Sequence, residues 1–421
     1  MMEAIDCQGF AGGFTMGTVQ AGFTLVGKRE LPGGFGVANC EANRHLLGDA
    51  WRSEVSPWQD WTPIDVPYVF GNPPCSGFSL MSASSFRGID SPVNSCMFAF
   101  VEYAARCKPQ IAIFESVQQA YTQGRPLMQN LRAVMEARTG ESWALTHVLH
   151  NAIAVGGAAI RRRYFMVLHR IPFGVEPLDP PVLPDLEDAI GDLRGMPLQW
   201  EDQHYAVPHK DASWWARDHR RADGFVDGHW TRLNSPNIQR ARELTIHADP
   251  VRGVEWKPGM TISQAAQAYY EKNGTLPELW TKWHPVQKWI DNDWHMGFHQ
   301  LCRWHPDRHA RVITGGGSQL VLNPWEFRPL TLRECARIQG FPDEWRIAPL
   351  ATNSQAPALW GKGIPVQCGR WISTWARESI SGWPGWDGGD EIGDREFLID
   401  HTNAVPYDYR SVVGRAAAEH V

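Results

Sequence analysis

The chain's 421 residues are enough for two or three domains, and a hydrophobic content of 43% suits an ordinary globular protein. No basic segment precedes an apolar run at the start, and no stretch reaches the ~18–20 apolar residues of a membrane helix; neither leader nor membrane span is expected, and the cytoplasm is the expected compartment. Eight scattered cysteines with no C-x-x-C pair argue against a zinc site or a disulfide framework, whereas the net charge of −6 leaves nucleic-acid binding open, because a local basic stripe can meet phosphates.

In chain order, Ala4-Ile5-Asp6 reads as a short strand, Gly9-Phe10-Ala11-Gly12-Gly13 as a glycine-rich turn and Phe14 to Ala21 as a helix. Leu25-Val26 begins the next strand. Tyr68-Val69-Phe70 leads into Gly71-Asn72-Pro73-Pro74-Cys75, and Gln110 to Glu115 is a third apolar strand, preceded by an amphipathic stretch from Cys96 to Cys107. Apolar strands alternating with helical stretches predict a doubly wound α/β fold. In such a fold ligands sit beyond the carboxyl ends of the strands, where the glycine turn, Cys75 and Glu115 fall. From Pro172 to about Trp325 the texture changes to Pro, Trp, His and charge; α/β texture returns at Leu330, and Gly382 to Gly389 reads as a linker to a short tail. The 21 tryptophans, many of them between Trp200 and Trp325, are read as aromatic core.

A glycine-rich turn followed by an acid ending the next strand is a nucleoside-cofactor pattern, with Glu30 placed for ribose hydroxyls, although many such turns are only structural. Pro73-Pro74-Cys75 is more pointed. Two prolines hold a cysteine rigidly at a strand end, where a generic cysteine is more often an inert core residue. Glu115 and the arginines of Ile160-Arg161-Arg162-Arg163-Tyr164 add an acid and cations, and nearby cations favour the thiolate. Nucleophile, acid and guanidinium fork suit covalent attack on a polarised heterocycle.

Together these residues resemble the DNA (cytosine-5)-methyltransferase family. Asp6-Cys7-Gln8-Gly9-Phe10-Ala11-Gly12-Gly13-Phe14 is similar to that family's first, cofactor-binding motif; Glu30 matches its ribose acid, and Asp49 the acid near the adenine amine, with Asp60 as a rival. Gly71 to Ser79 resembles the nucleophile loop, Phe114-Glu115-Ser116-Val117 the Glu-Asn-Val motif, and Arg161-Arg162-Arg163 the Arg-x-Arg motif. Arg328 to Pro342 resembles the ninth motif and Gly361-Lys362-Gly363-Ile364-Pro365 the tenth, which closes over the cofactor.

The resemblance implies a Rossmann-like catalytic domain over 1–172 and 327–381, an inserted target-recognition domain over 173–326, and a linker and tail over 382–421. It implies a metal-free monomer acting on double-stranded DNA, with cytosine flipped from the helix. Cys75 would attack ring carbon 6, Glu115 would hydrogen-bond the ring nitrogen and exocyclic amine, Arg163 would hold the cytosine carbonyl and Arg161 would orient Glu115. The cofactor would be S-adenosylmethionine, held by Gln8, Gly9, Phe10, Ala11, Gly12, Gly13, Glu30, Asp49, Pro73, Lys362 and Gly363. The expected DNA-facing residues are Arg217, Arg220, Arg221, Asn237 and Arg240, because Arg and Asn read guanine and adenine edges.

Several positions depart from the family pattern. Gln8 stands where an aromatic is usual, Phe10 where glycine is, and Ser76, Ser116 and Ala159 replace Gln, Asn and Gln. Lys362 replaces the Asn of the tenth motif. An ammonium beside a sulfonium is unfavourable unless an anion lies between them. Two donors therefore stay open: S-adenosylmethionine with Lys362 turned to solvent, and carboxy-S-adenosylmethionine, whose extra carboxylate would pair with Lys362 and yield 5-carboxymethylcytosine. An idle DNA-binding relative and an RNA-modifying enzyme of the same fold stay open as well. The aberrant motifs would suit a bacteriophage that modifies its own DNA.

Overall fold

The computed structural model describes residues 2–10, 12–33, 36–79, 82–174, 184–196, 236–281, 286–294, 301–313, 321–347, 360–382 and 396–402. Among them ten strands form: β1 (Glu3–Cys7), β2 (Thr24–Glu30), β3 (Ser53–Val55), β4 (Tyr68–Gly71), β5 (Ile111–Ser116), β6 (Ala144–Asn151), β7 (Arg162–His169), β8 (Cys302–Arg303), β9 (Val321–Leu322) and β10 (Glu396–Asp400). The helices that frame them are α1 (Gly13–Gln20), α2 (Ser95–Cys107), α3 (Gln119–Thr139), α4 (Ile262–Asn273) and α5 (Val366–Ile380).

Eight strands make one sheet in the order β10-β6-β7-β5-β4-β1-β2-β3. All neighbours are parallel except β7, which runs antiparallel to β5 and β6. The central strands are buried along their whole length, as a sheet covered on both faces requires, and so read as continuous apolar runs such as Ile111-Ala112-Ile113-Phe114. The reversal of β7 has a functional consequence: its amino end, with Arg162 and Arg163, lies beside the carboxyl end of β5, where Ser116 pairs with Tyr164.

Helices α1 and α5 cross almost in backbone contact. A Cβ on Gly17 would come within 2.6 Å of the Val366 carbonyl, and one on Gly369 within 2.9 Å of the Phe14 Cα, so both positions need glycine for the close approach. Thr18 and Ser373 hydroxyls meet at 2.9 Å across the crossing. This crossing fixes the segment after Gly363 against the turn that opens α1.

The chain divides into two compact units, Met1–Leu183 with Gln339–Ala348 and Gly363–Val421, and Pro184–Ile338 with Pro349–Lys362. These bounds differ from the expected ones at both junctions, at residues 349–362, which fall in the second unit, and in the expected tail. The first part of the ninth motif falls in the second unit, because the Glu334 carboxylate accepts from Arg328 and from Asn323, one residue past β9. Residues 396–400, expected to be tail, instead form β10 on the edge of the large sheet. The second unit has its own core of Trp256, Trp280, Trp289, Trp294 and Tyr269, and a Thr261–Gln264 capping box starts α4. These tryptophans are core, as the composition suggested.

Candidate active site

The site is built at the carboxyl ends of β1, β2, β4 and β5 and the amino end of β7. After β4 the chain runs through Asn72, buried Pro73 and exposed Pro74 to Cys75, which is half-buried. At the end of β5, Glu115 is fully buried; its Oε1 lies 2.5 Å from Arg163 Nε, and its Oε2 accepts from the Asn72 amide. Arg161 is also fully buried; its backbone N–H donates to Asn151 Oδ1 at 3.1 Å and its Nη2 to the Gly363 carbonyl. Cys75, Glu115, Arg161 and Arg163 are therefore brought together, with Arg161 joining them to the tenth motif. The guanidinium pairing with Glu115 at 2.5 Å belongs to Arg163, to which the resemblance gave the cytosine carbonyl.

Electrostatics set the resting protonation. Burial, and then the Glu115 carboxylate, push the Cys75 thiol up, against the pull of Arg163 and Arg161. The expected thiolate is thus not the resting form: desolvation and a like-charged neighbour outweigh the cations. Burial also raises the Glu115 carboxyl, with Arg163 and Arg161 opposing. For Arg161, burial and then Arg163 bring the guanidinium down to about 9, still a cation at neutral pH.

The turn after β1 has left-handed backbone at Gln8, with φ of 63°, and at Phe10, with φ of 48°, the position where the resembled motif carries glycine. A Cβ on Gly9 would collide with the Asp6 carboxylate, and one on Gly13 with the Ile364 carbonyl, so the chain's own packing demands these two glycines. Beneath the turn Asp6 and Lys28 form a wholly buried ion pair of 2.9 Å, with Thr15 donating to the same carboxylate oxygen at 2.6 Å. Burial would lower the Lys28 ammonium, but Asp6 holds it up. Lys28 also lies 4.0 Å from Glu30, whose carboxyl burial raises.

The remaining expected residues divide. Gly12 and Gly13 lead into α1, and Gly363 is buried with its carbonyl on Arg161. Lys362 is exposed, and so is Asp49. Asp49 precedes β3, whereas Asp60 follows it, on the carboxyl side of the strand where Glu30 pairs with Val55; strand direction thus favours the rival. Arg240, in the helix Pro236–Glu243, is half-buried; Asn237 lies in the same helix, its side chain outside the described residues. Ala11, Arg217, Arg220 and Arg221 also lie outside the described residues. Lys28 and Asn72 were missed. An Asn directly before Pro-Pro-Cys was a usable signal; a lysine inside a strand gave none. Among the described residues, no helix is long and apolar enough to cross a membrane and no His, Cys, Asp and Glu group could hold a metal ion.

Comparison with known proteins adds an independent view. A family model described as C-5 cytosine-specific DNA methylase matches residues 2–374. The chain is 27% identical over 356 residues to the type II methyltransferase M.XorII of Xanthomonas oryzae pv. oryzae, covering 81% of this chain and 77% of that one. It is 24% identical over 383 residues to M.MthTI of Methanothermobacter thermautotrophicus, covering 88% and 96%. In fold it is similar to an E. coli prophage-encoded protein described as a DNA modification methyltransferase, with a TM-score of 0.59 at 15% identity, covering 90% of this chain and 100% of that one. The Entamoeba histolytica methyltransferase EhMeth gives 0.52 at 11% identity, with coverage of 90% and 99%.

Proposed function

The chain belongs to the C-5 cytosine-specific DNA methylase family, and from that membership we propose that it transfers a methyl group from S-adenosylmethionine to carbon 5 of a cytosine flipped out of duplex DNA. The observation that carries this reading is the convergence of Cys75, Glu115, Asn72 and Arg163 at the ends of β4, β5 and β7. The residues present fit the cofactor: a buried acid, Glu30, ends β2, and buried acceptor atoms on Asp6 and Gln8 stand without hydrogen-bond partners among the described residues. When bound, the cofactor supplies an electrophilic methyl carbon on a sulfonium.

The chain's groups can activate the ring in a balanced sequence. As Glu115 protonates the ring nitrogen, or donates a hydrogen bond to it, Cys75 Sγ bonds to ring carbon 6 and carbon 5 gains electron density. The Glu115 carboxylate raises the Cys75 thiol, so a Glu115 that keeps its proton and donates it in a hydrogen bond to the base leaves the thiol easier to ionise. The thiol proton leaves to solvent. After carbon 5 has taken the methyl group, its proton passes to solvent and the ring nitrogen returns any proton it took to Glu115, which restores the double bond and expels Cys75 as thiolate. Asn72 and Arg163 keep Glu115 in position throughout. DNA facing by Arg240 and the basic stretches of the second unit belongs to this proposal.

The test is to incubate the chain with cytosine-containing duplex and S-adenosylmethionine and to weigh the digested nucleosides. A deoxycytidine heavier by about 14 Da, one added CH₂, is expected. A gain of about 58 Da, seen only with the carboxylated donor, would move the donor assignment to carboxy-S-adenosylmethionine and give exposed Lys362 a role. No modified nucleoside with either donor would overturn the reading.

A further inference from the structure

We propose that Gln8 is a donor-specificity residue whose side-chain carbonyl oxygen faces the positively charged, sulfur-bearing centre of S-adenosylmethionine and favours it over the neutral thioether left after transfer. The proposal rests on the donor reading above and extends it to a residue with no catalytic role there.

Position carries the first part. Cys7, the last residue of β1, pairs with Arg29 on one side and Gly71 on the other. Gln8 continues that line: its N–H donates to the Arg29 carbonyl at 2.7 Å, and its own carbonyl accepts from the Asn72 N–H at 3.2 Å. It is thus clamped between the strand that ends in Glu30 and the strand that leads to Cys75. A donor with its ribose at Glu30 and its transferable carbon toward Cys75 would span the line on which Gln8 lies.

The side chain carries the second part. Gln8 is only 1% exposed, and its Nε2 donates to the Cys96 carbonyl at 3.0 Å. A carbonyl can only accept, so this bond fixes which limb of the amide is nitrogen and leaves Oε1 on the other. That oxygen is buried and has no hydrogen-bond partner among the described residues. A buried acceptor left unpaired is costly, and Gln8 keeps it in a left-handed backbone conformation that disfavours side chains. Glu30 borders the same place, since its carboxylate raises the Cys96 thiol, after burial. The aromatic residue of the resembled motif offers no such acceptor. A fixed carbonyl dipole lowers the energy of a nearby sulfonium and of its polarised C–H groups, and does little for a neutral thioether.

The test is calorimetric binding of S-adenosylmethionine and S-adenosylhomocysteine to the full chain without DNA. In Gln8→Leu the preference for S-adenosylmethionine over S-adenosylhomocysteine should fall roughly tenfold or more, the scale of one hydrogen bond to a charged group. Gln8→Glu should raise that preference, and this second variant keeps the test open if the leucine variant does not fold. A ratio unchanged in both variants would overturn the proposal, and would mean that an ordered water satisfies Oε1. If the unaltered chain bound neither nucleoside, the donor reading itself would fall first.

Discussion

At the edge of the sheet formed by β10, β6 and β7, the buried imidazoles of His147 and His169 have both ring nitrogens occupied by the chain. His147 Nε2 donates to Glu396 at 2.7 Å, so its Nδ1 accepts from the Tyr164 hydroxyl at 2.6 Å. His169 Nδ1 donates to the Ile171 carbonyl at 2.7 Å, and its Nε2 accepts from Thr146 at 2.9 Å. At the carboxyl ends of β1 and β2 the accounting differs. Asp6 Oδ1 and Gln8 Oε1 are as deeply buried and have no hydrogen-bond partner among the described residues. His147 and His169 hold the fold with every ring nitrogen, whereas the acceptors at the ends of β1 and β2 are left over by the chain's own hydrogen bonds. Titratable residues alone do not mark a site, since the histidine-rich edge has buried ones as well.

The largest expected effect sharpens that contrast at its functional end. Cys75→Ala should lower transfer by more than about 1,000-fold while leaving DNA binding intact, as single-turnover product formation and gel shift would report. Removal of either edge histidine should lower stability and leave the chemistry of the folded enzyme nearly unchanged. Equal losses of single-turnover rate from His147→Phe and Cys75→Ala would break the comparison.

Next comes Lys28→Met, which strands the Asp6 carboxylate in a buried site. A loss of about 3–5 kcal/mol in denaturant unfolding is expected. Adding Asp6→Asn should recover part of it, because the uncompensated charge is then gone. No recovery would mean that Lys28 acts through packing.

Acidification probes the buried histidines of β6 and β7. Burial holds His169 down to about 4, and burial with His401 holds His150 down to about 3, from an ordinary 6.5. Above 6.5 both are neutral in the folded and unfolded chain, so their stability contribution is complete there. As pH falls below 6.5 only the unfolded chain takes up the protons, and stability should drop by about 2 kcal/mol for each histidine by pH 5. His169→Gln should flatten that part of the stability–pH curve; an unchanged slope would contradict the assignment.

The smallest effect concerns β10. Burial would lift the Glu396 carboxyl, but hydrogen bonds from Arg125, Gln129 and His147 hold it down to about 2. Glu396→Gln should cost about 1 kcal/mol and speed hydrogen exchange of the β6 amides paired with β10. Exchange unaltered along Leu145 to Leu149 would show that strand pairing alone retains β10.

The elements that build the candidate site were legible because their signals are local. A strand, a turn and a constrained cysteine occupy adjacent residues, and Glu115 ends an apolar run. Less legible were features that depend on partners far along the chain. The reversal of β7 cannot be read from Phe165-Met166-Val167-Leu168, which would suit either direction, yet it is what brings Arg163 to Glu115. Lys28 resembles an exposed strand lysine until Asp6, 22 residues away, lies beneath it. Glu396 to Asp400 is a short, partly charged segment whose strand character comes from pairing with β6. The ninth motif was recognisable as a motif, but its first part packs with the second unit through Glu334, Arg328 and Asn323.

The most direct test of the central claim is to trap the covalent step. Random-sequence duplex carrying 5-fluorocytosine, incubated with the chain and S-adenosylmethionine, presents a ring that cannot lose a proton from carbon 5, so Cys75 should remain bound to it. The account predicts a denaturant-resistant protein–DNA complex that requires the donor, with the link mapped by peptide mass to Cys75 and absent in Cys75→Ala. A complex that persists in Cys75→Ala, or normal methylation of ordinary cytosine with no trapped complex, would contradict it.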